Sequence, residues 1–185
     1  MKIVDKLRHQ AGSYFLKSDH QHAKRQSVAC GFTTAAKLGI LYDASAKENY
    51  EAAKNLVRRL RNLQKDVRSL GFINSRRMPG DQFAKLGMDF FTLTDLNWHL
   101  KPASPITSNF AAESFDILIN LSLTTVLPLE YINAASNAKF KIGKYSPRKQ
   151  QYYDFMIQLK PGESMSSFIS SVEHYLQIIN AETVK

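Results

Sequence analysis

The sequence predicts an α/β fold built on a doubly wound, mainly parallel sheet of five to six strands. Two observations predict it. Short apolar runs alternate along the chain with segments of helical periodicity. Runs such as ILY and ILI are apolar at every position, which is typical of parallel strands covered on both faces. With 185 residues, the chain suits a single compact α/β domain.

The first 26 residues are predicted to form a basic amphipathic helix and a linker. The apolar residues recur at three- and four-residue steps: Ile3, Val4, Leu7, Ala11, Tyr14 and Phe15. This stripe predicts a helix that packs on the domain or on a partner. The polar stretch SDHQHAKRQS then predicts a linker. We therefore assign residues 1–26 to the helix and linker and residues 27–185 to a single α/β domain.

Six apolar segments after the linker are predicted strands, at residues 38–42, 66–74, 89–93, 115–121, 138–142 and 153–159. Helical spacing predicts a helix between the first two strands, over 47–63, and another at the end of the chain, over 164–179. The third and fourth strands, and the fourth and fifth, are far enough apart for a helical crossover. The expected sheet is Rossmann-like or flavodoxin-like.

The last two strands break this pattern. The loop between them, GKYSPRKQQY, contains a proline and no helical period, which predicts an antiparallel hairpin at one edge. In AKFKI, Phe140 and Ile142 would face one way and Lys139 and Lys141 the other. This alternation is typical of an edge strand with one solvated face.

The uneven distribution of charge allows an anionic partner. The net charge is +9, and residues 1–26, 54–77 and 137–160 carry more than all of it. Clustered positive charge attracts nucleic acid, acidic lipid or a phosphorylated ligand, and the support for nucleic acid is weak. The alternative is a basic surface that only contacts water.

No membrane span, cofactor motif or metal site is predicted. The N-terminus lacks a continuous apolar core, and no window holds the roughly 20 apolar residues of a membrane helix. Cys30 is the single cysteine, so the cytoplasm is the expected location. His20 and His22 lack a third ligand at a fixed spacing. Neither G-x-G-x-x-G nor a P-loop motif follows a strand.

Several phrases together resemble a family of small uncharacterised bacterial α/β proteins, a domain of unknown function. They are LGILYDAS, LGFINSRR, DFFTLTDLNW, FDILINLS, LPLEYINAASNAKFKIG and YYDFMI, within about residues 37–159. The resemblance implies a cytoplasmic protein and carries over no activity. It gives no residue a catalytic role.

The ligand site predicted by this fold lies beyond the carboxyl ends of the strands, where the crossovers diverge. The polar candidates there are Asp43, Ser45, Asn74, Ser75, Asn120 and Ser122. Candidates for anion binding are Lys144, Arg148 and Lys149. The alternative is structural: Ser45 and Glu48 match a capping box, and polar residues often end strands through local hydrogen bonds.

Two functions agree with these patterns. The first is a non-catalytic cytoplasmic binding or interaction protein that uses the basic N-terminal helix as a contact. The second is an enzyme or sensor for a phosphorylated small molecule or nucleotide bound at the strand ends. Whether the chain is an enzyme is left open by the sequence.

Overall fold

A computed structural model describes residues 3–20, 25–78 and 88–182 of the chain. In this part, six strands form one sheet in the order β3-β2-β1-β4-β5-β6, and every neighbouring pair is parallel. The strands are β1 Lys37–Asp43, β2 Asp66–Ile73, β3 Asp89–Thr92, β4 Ile117–Asn120, β5 Phe140–Lys144 and β6 Phe155–Ile157. The predicted α/β class is confirmed.

Helices flank both faces of this sheet. They are α1 Ile3–His20, α2 Lys47–Asn62, α3 Pro105–Ala112, α4 Leu127–Ala135 and α5 Met165–Glu182. Apolar residues of α2 and α5 pack with one face of the sheet, and those of α3 and α4 pack with the other. The helix α1 lies against α4 through a third apolar cluster that contains Leu16 and Tyr131.

Strand β1 contributes side chains to the apolar clusters on both faces of the sheet, because successive side chains of a strand point to opposite faces. Leu38, Ile40 and Tyr42 point towards α2 and α5, whereas Leu41 points towards α3 and α4. All four side chains are fully buried. A strand covered on both faces has no need of polar positions, which is why its sequence is continuously apolar.

The predicted antiparallel edge hairpin is wrong, because β6 pairs with β5 in parallel. Residues 145–154 return along the sheet through a single 3-10 turn, Gln150–Tyr152, which packs against α4. Such a short turn gives no helical period in the sequence. Strand β5 is therefore interior, and Lys141 is 1% exposed instead of facing solvent. Lys139 precedes the strand, stays exposed and forms an ion pair of 2.8 Å with Asp116.

Candidate functional site

The chain reverses its direction of winding between β1 and β4. Residues 44–46 lead from β1 into α2 on one face, whereas residues 121–126 lead from β4 into α4 on the opposite face. Diverging loops of this kind open a crevice at the carboxyl edge of a sheet. The register pairs Leu41 with Asn120, and continuing it by two residues places Asp43 beside Ser122. The predicted candidates on these strands thus share one edge.

Three of the candidates form one hydrogen-bonded group at the ends of β1 and β2. The Asp43 carboxylate accepts a bond of 2.9 Å from the backbone N–H of Ser45. The Ser45 hydroxyl oxygen accepts one of 2.9 Å from the backbone N–H of Asn74. Ser75 lies one residue further, and its hydroxyl oxygen accepts from the N–H of Arg77 at 3.2 Å. These polar groups mainly shape the loops.

The helix α2 begins without a side-chain cap. Its N-cap is Ala46, and no side chain accepts a hydrogen bond there. The capping box proposed for Ser45 and Glu48 is therefore wrong, because the Ser45 hydroxyl bonds to Asn74 instead. The N–H groups of the first helical turn leave a positive helix end at this edge of the sheet.

Asn120 and Ser122 form a second group, at the end of β4. The Asn120 side chain is buried, its oxygen accepts from the N–H of Ser122 at 3.1 Å, and its amide nitrogen donates to the Tyr153 hydroxyl at 2.8 Å. The Ser122 hydroxyl is buried and has no hydrogen-bond partner among the residues that the structure describes. Asn120 is therefore fully engaged, and Ser122 is not.

Asn120 is the first member of a buried polar chain that continues into α4. The Tyr153 hydroxyl donates to one oxygen of Glu130 at 2.8 Å, and the Lys149 ammonium donates to the other at 2.5 Å. Burial, followed by the charge of Glu130, raises the pKa of Tyr153 well above its ordinary value. Tyr153 therefore stays neutral and remains a donor. This network ties the β5–β6 connection to α4.

Sequence reasoning missed Glu130 and Tyr153 as members of this network. One signal was available, an acid inside the otherwise apolar run VLPLEYI. A second signal was Gly143, opposite Asn120 in the sheet. A Cβ atom at Gly143 would collide with the Tyr153 ring, so this position needs a glycine for close packing.

The predicted anion-binding residues are placed in three different environments. The Lys144 ammonium donates to the carbonyl of Leu123 at 2.7 Å. Lys149 is paired with Glu130, and only 16% of its side chain is exposed. Arg148 is exposed. Two of the three cations therefore already hold protein acceptors.

A second buried charge lies next to this network. The Lys141 ammonium donates to the carbonyls of Asn133 at 2.6 Å and Ala134 at 3.3 Å, in the last turn of α4. Burial, followed by the charge of Arg25, lowers the pKa of Lys141 to about 7. Lys141 therefore satisfies helix-end carbonyls that would otherwise be buried without donors.

The N-terminal helix contacts the domain through its small residues. The Tyr131 hydroxyl donates to the Gly12 carbonyl at 2.7 Å, and a Cβ atom at Gly12 would collide with the carbonyl oxygen of His99. Leu16 is buried on the same side. The Arg8 guanidinium also donates to the Trp98 carbonyl at 2.7 Å. The predicted helix is confirmed, and Gly12 and Leu16 mark its packed side.

The opposite side of α1 carries most of the predicted apolar stripe. Ile3, Val4, Leu7 and Tyr14 are all exposed, and we call this surface the outer face of α1.

No helix within the described ranges has the length and apolar character needed to cross a membrane. The same residues contain no group of three potential metal ligands.

These observations define an α/β protein with an all-parallel sheet and mutually bonded polar residues at its carboxyl edge. The model of DUF6913, a family of unknown function, matches residues 8–179, and the chain belongs to this family. The resemblance to a family without known activity is thus confirmed, while its bacterial origin stays a prediction. No curated protein matches the chain.

Proposed function

We propose that the chain is a non-catalytic cytoplasmic binding protein that docks on an anionic lipid surface through the outer face of α1. A Rossmann-like domain would serve as its scaffold. The observation that carries this proposal is the exposure of apolar side chains on a helix whose other side is fixed by Gly12 and Leu16. The fixed side excludes a simple rotation of the helix to bury them.

Three apolar side chains of the outer face of α1 are largely exposed to solvent. Ile3 is 80% exposed, Leu7 58% and Tyr14 70%. At 100° per residue, these three lie within about 40° of one another around the helix. Full burial of one such side chain is worth roughly 1.5–3 kcal/mol. A contiguous apolar surface of this kind is typical of an interaction site.

The charges beside the outer face favour an anionic partner over a second copy of the chain. Lys6 and Lys17 are exposed along one border of the face. The acids of the described helix, Asp5 and Asp19, lie towards its inner side, and Asp19 is paired with Lys101. Two copies joined through this face would bring lysines together, whereas acidic lipid head groups would complement them.

Aromatic residues favour lipid over nucleic acid. Trp98 is 63% exposed and makes an edge contact with Phe15 on α1, at 6.4 Å between ring centroids. Tryptophan and tyrosine are enriched where membranes meet water. A phosphate backbone would neutralise the lysines but would leave Ile3 and Leu7 exposed. Lipid satisfies both parts of the surface.

Vesicle binding tests this proposal. The protein should bind phosphatidylcholine vesicles that contain phosphatidylglycerol, and binding to pure phosphatidylcholine should be much weaker. Leu7→Ser should reduce affinity for the anionic vesicles roughly tenfold, through lost apolar burial. Leu63→Ser is the matched control, because Leu63 is 64% exposed and lies at the C-cap of α2, away from α1. Equal losses for both variants, or tighter binding to an oligonucleotide, would contradict the proposal.

The second candidate function is an enzyme or sensor for a phosphorylated small molecule or nucleotide at the strand ends. The observation that favours it is the buried, unpartnered Ser122 hydroxyl just beyond β4, at the same edge of the sheet as the uncapped start of α2. Phosphate binds readily to such helix starts. The ligand would also contact Asp43 and Ser45, with Asn74 and Ser75 nearby.

Thermal shift tests this second function. Inorganic phosphate, ADP or a sugar phosphate should raise the melting temperature, and Ser122→Ala should remove that rise without lowering the stability of the free protein. Ser69→Ala is the matched control, since the Ser69 hydroxyl is also buried without a partner among the described residues, but inside β2. An unchanged ligand response in Ser122→Ala would exclude this crevice.

A further inference from the structure

A pocket of about 430 Å³ lies between α1, α3 and α4, away from the strand ends. This volume is within the range of small-molecule sites. It opens on the side of the sheet where α1 packs, but it does not include the exposed residues of the outer face of α1. The pocket is therefore separate from the surface that we propose to dock on lipid.

The interior walls of the pocket are apolar. Leu16 and Ile132 are buried on two of its sides, and Ala111, Ala134 and Ala135 contribute small side chains that leave room between the helices. An apolar group placed there would lose water contact without displacing any hydrogen bond of these residues. The walls fit a short hydrocarbon.

One ion pair stands at the rim. The Lys101 ammonium lies 2.7 Å from the Asp19 carboxylate, and both side chains are nearly half exposed. An exposed pair contributes only about 0–1 kcal/mol, so it opens easily. The backbone of Lys101 is held on both sides, because its N–H donates to the Asn97 side-chain oxygen and its carbonyl accepts from the Asn97 N–H. Asp19, in contrast, lies in the last turn of α1. Asp19 is thus the partner that can be replaced.

The helix ends beside the pocket favour an anion near Lys101. Thr107 and Ser108 line the pocket from the first turns of α3, where the helix presents its positive end. The C-terminal carbonyls of α4, beside Ala134, already accept hydrogen bonds from the Lys141 side chain, so they are not free to repel an anion. Among the residues that the structure describes, Lys101 is the one cation that lines the pocket.

We infer that this pocket binds a small amphipathic carboxylate. The ligand tail contacts Leu16 and Ile132, and its carboxylate takes the place of the Asp19 carboxylate beside Lys101. Asp19 then turns to solvent. The bound head group keeps the charge balance of the rim, because one carboxylate replaces another.

Titration with three probes of equal chain length tests the inference. Octanoate should bind severalfold more tightly than octanol, because only a carboxylate can exchange for that of Asp19 beside Lys101. Octylamine should bind more weakly than either. Chemical shift changes or calorimetry on the full chain give the affinities. Octylamine binding as tightly as octanoate, or no measurable octanoate binding, would overturn the inference.

Variants then test the position. Lys101→Met should lower octanoate affinity to that of octanol, and Asp19→Asn should raise octanoate affinity by removing the competing carboxylate. Ala135→Phe should weaken octanoate and octanol alike by filling the pocket. Lys54→Met is the control, since Lys54 pairs with Glu51 on the opposite side of the sheet.

Asp19 is exposed and Asn is nearly isosteric with it, so Asp19→Asn should fold and still test the role of the rim even if Lys101→Met does not fold. Weaker octanoate binding in Asp19→Asn, or unchanged binding in Ala135→Phe, would contradict the inference. These results are independent of vesicle binding, which depends on Leu7 and not on the pocket.

Discussion

The two faces of the sheet differ in the kinds of side chain that they bury. Towards α2 and α5, the core is a continuous apolar cluster that includes Ile40, Leu56 and Phe168. Towards α4, the interior also holds both of the buried charged residues among those that the structure describes, Glu130 and Lys141. The same sheet therefore combines one face that depends on apolar burial with another that depends on hydrogen bonds as well.

The difference follows from how the chain connects its strands. The helix α2 carries β1 to β2 and covers its face with apolar side chains, whereas β5 and β6 are joined only through a short turn. Tyr152 of that turn is buried in the apolar cluster that contains Leu16 and Tyr131, and hydrogen bonds also hold the connection. Glu130 holds Tyr153 and Lys149, and Asn133 donates to the Tyr152 carbonyl at 3.0 Å. Directional hydrogen bonds therefore add to apolar packing on this side of the sheet.

Glu130→Ala is the strongest way to break the polar face. It leaves the Tyr153 hydroxyl and the Lys149 ammonium without their acceptor, which should cost about 3–5 kcal/mol in the free energy of unfolding. Chemical denaturation measures this loss. Glu130→Gln keeps the shape and an acceptor oxygen, so it should cost clearly less. A loss below about 1 kcal/mol for Glu130→Ala would mean that the network does not hold the turn.

Lys141 should make the polar face sensitive to pH. Burial lowers its folded pKa to about 7 from 10.5, so between these values the unfolded chain binds a proton that the folded protein does not. Stability should therefore rise with pH, by about 2 kcal/mol between pH 7 and pH 9 relative to Lys141→Met. Urea unfolding of both proteins at the two pH values measures it.

Lys139→Met is the matched control for this pH effect. Lys139 is two residues away and exposed, and its hydrogen bond to Asp116 raises its pKa instead of lowering it. Its variant should follow the parent protein between pH 7 and pH 9. If Lys141→Met also follows the parent, the proton is not lost from Lys141 in this range.

Tyr153→Phe should have a smaller effect. The ring still packs on Gly143, but Glu130 and Asn120 each lose one hydrogen-bond partner. The expected loss is about 1–2 kcal/mol in the free energy of unfolding. In a double-mutant cycle with Asn120→Ala, the two losses should add to more than that of the double variant. Strict additivity would show that the two side chains act independently.

Much of the fold was predictable because it depends on local apolar patterns. All six strands and the helices α1, α2 and α5 fall where apolar runs and helical spacing predicted them. The orientation of β6 was not predictable in this way. Glu130 and Asn133 hold the parallel return through Gln150–Tyr152, and these residues are far from it in sequence.

The candidate site was predictable to the level of the sheet edge. Strand-end polar residues can be identified from the sequence, and the structure does place Asp43 and Asn120 at the ends of neighbouring strands. Their partners cannot be identified in this way, because the Ser45–Asn74 and Asn120–Tyr153 bonds join residues about 30 positions apart. Likewise, the alternation of lysine and apolar residues around Lys141 predicted a solvated face. Such a pattern does not show whether a lysine contacts water or the carbonyls at the end of a helix.

Leu56→Met perturbs the apolar face of the sheet and should have the smallest effect on stability. Leu56 is 2% exposed and packs in the cluster beneath α2 and α5. The exchange conserves volume and removes no hydrogen bond, so it should cost less than about 1.5 kcal/mol. Tyr153→Phe changes even fewer atoms but leaves polar partners unsatisfied. If both are measured by denaturation under the same conditions, Leu56→Met should be the milder variant. The reverse order would show that packing precision, and not hydrogen bonding, limits stability on both faces.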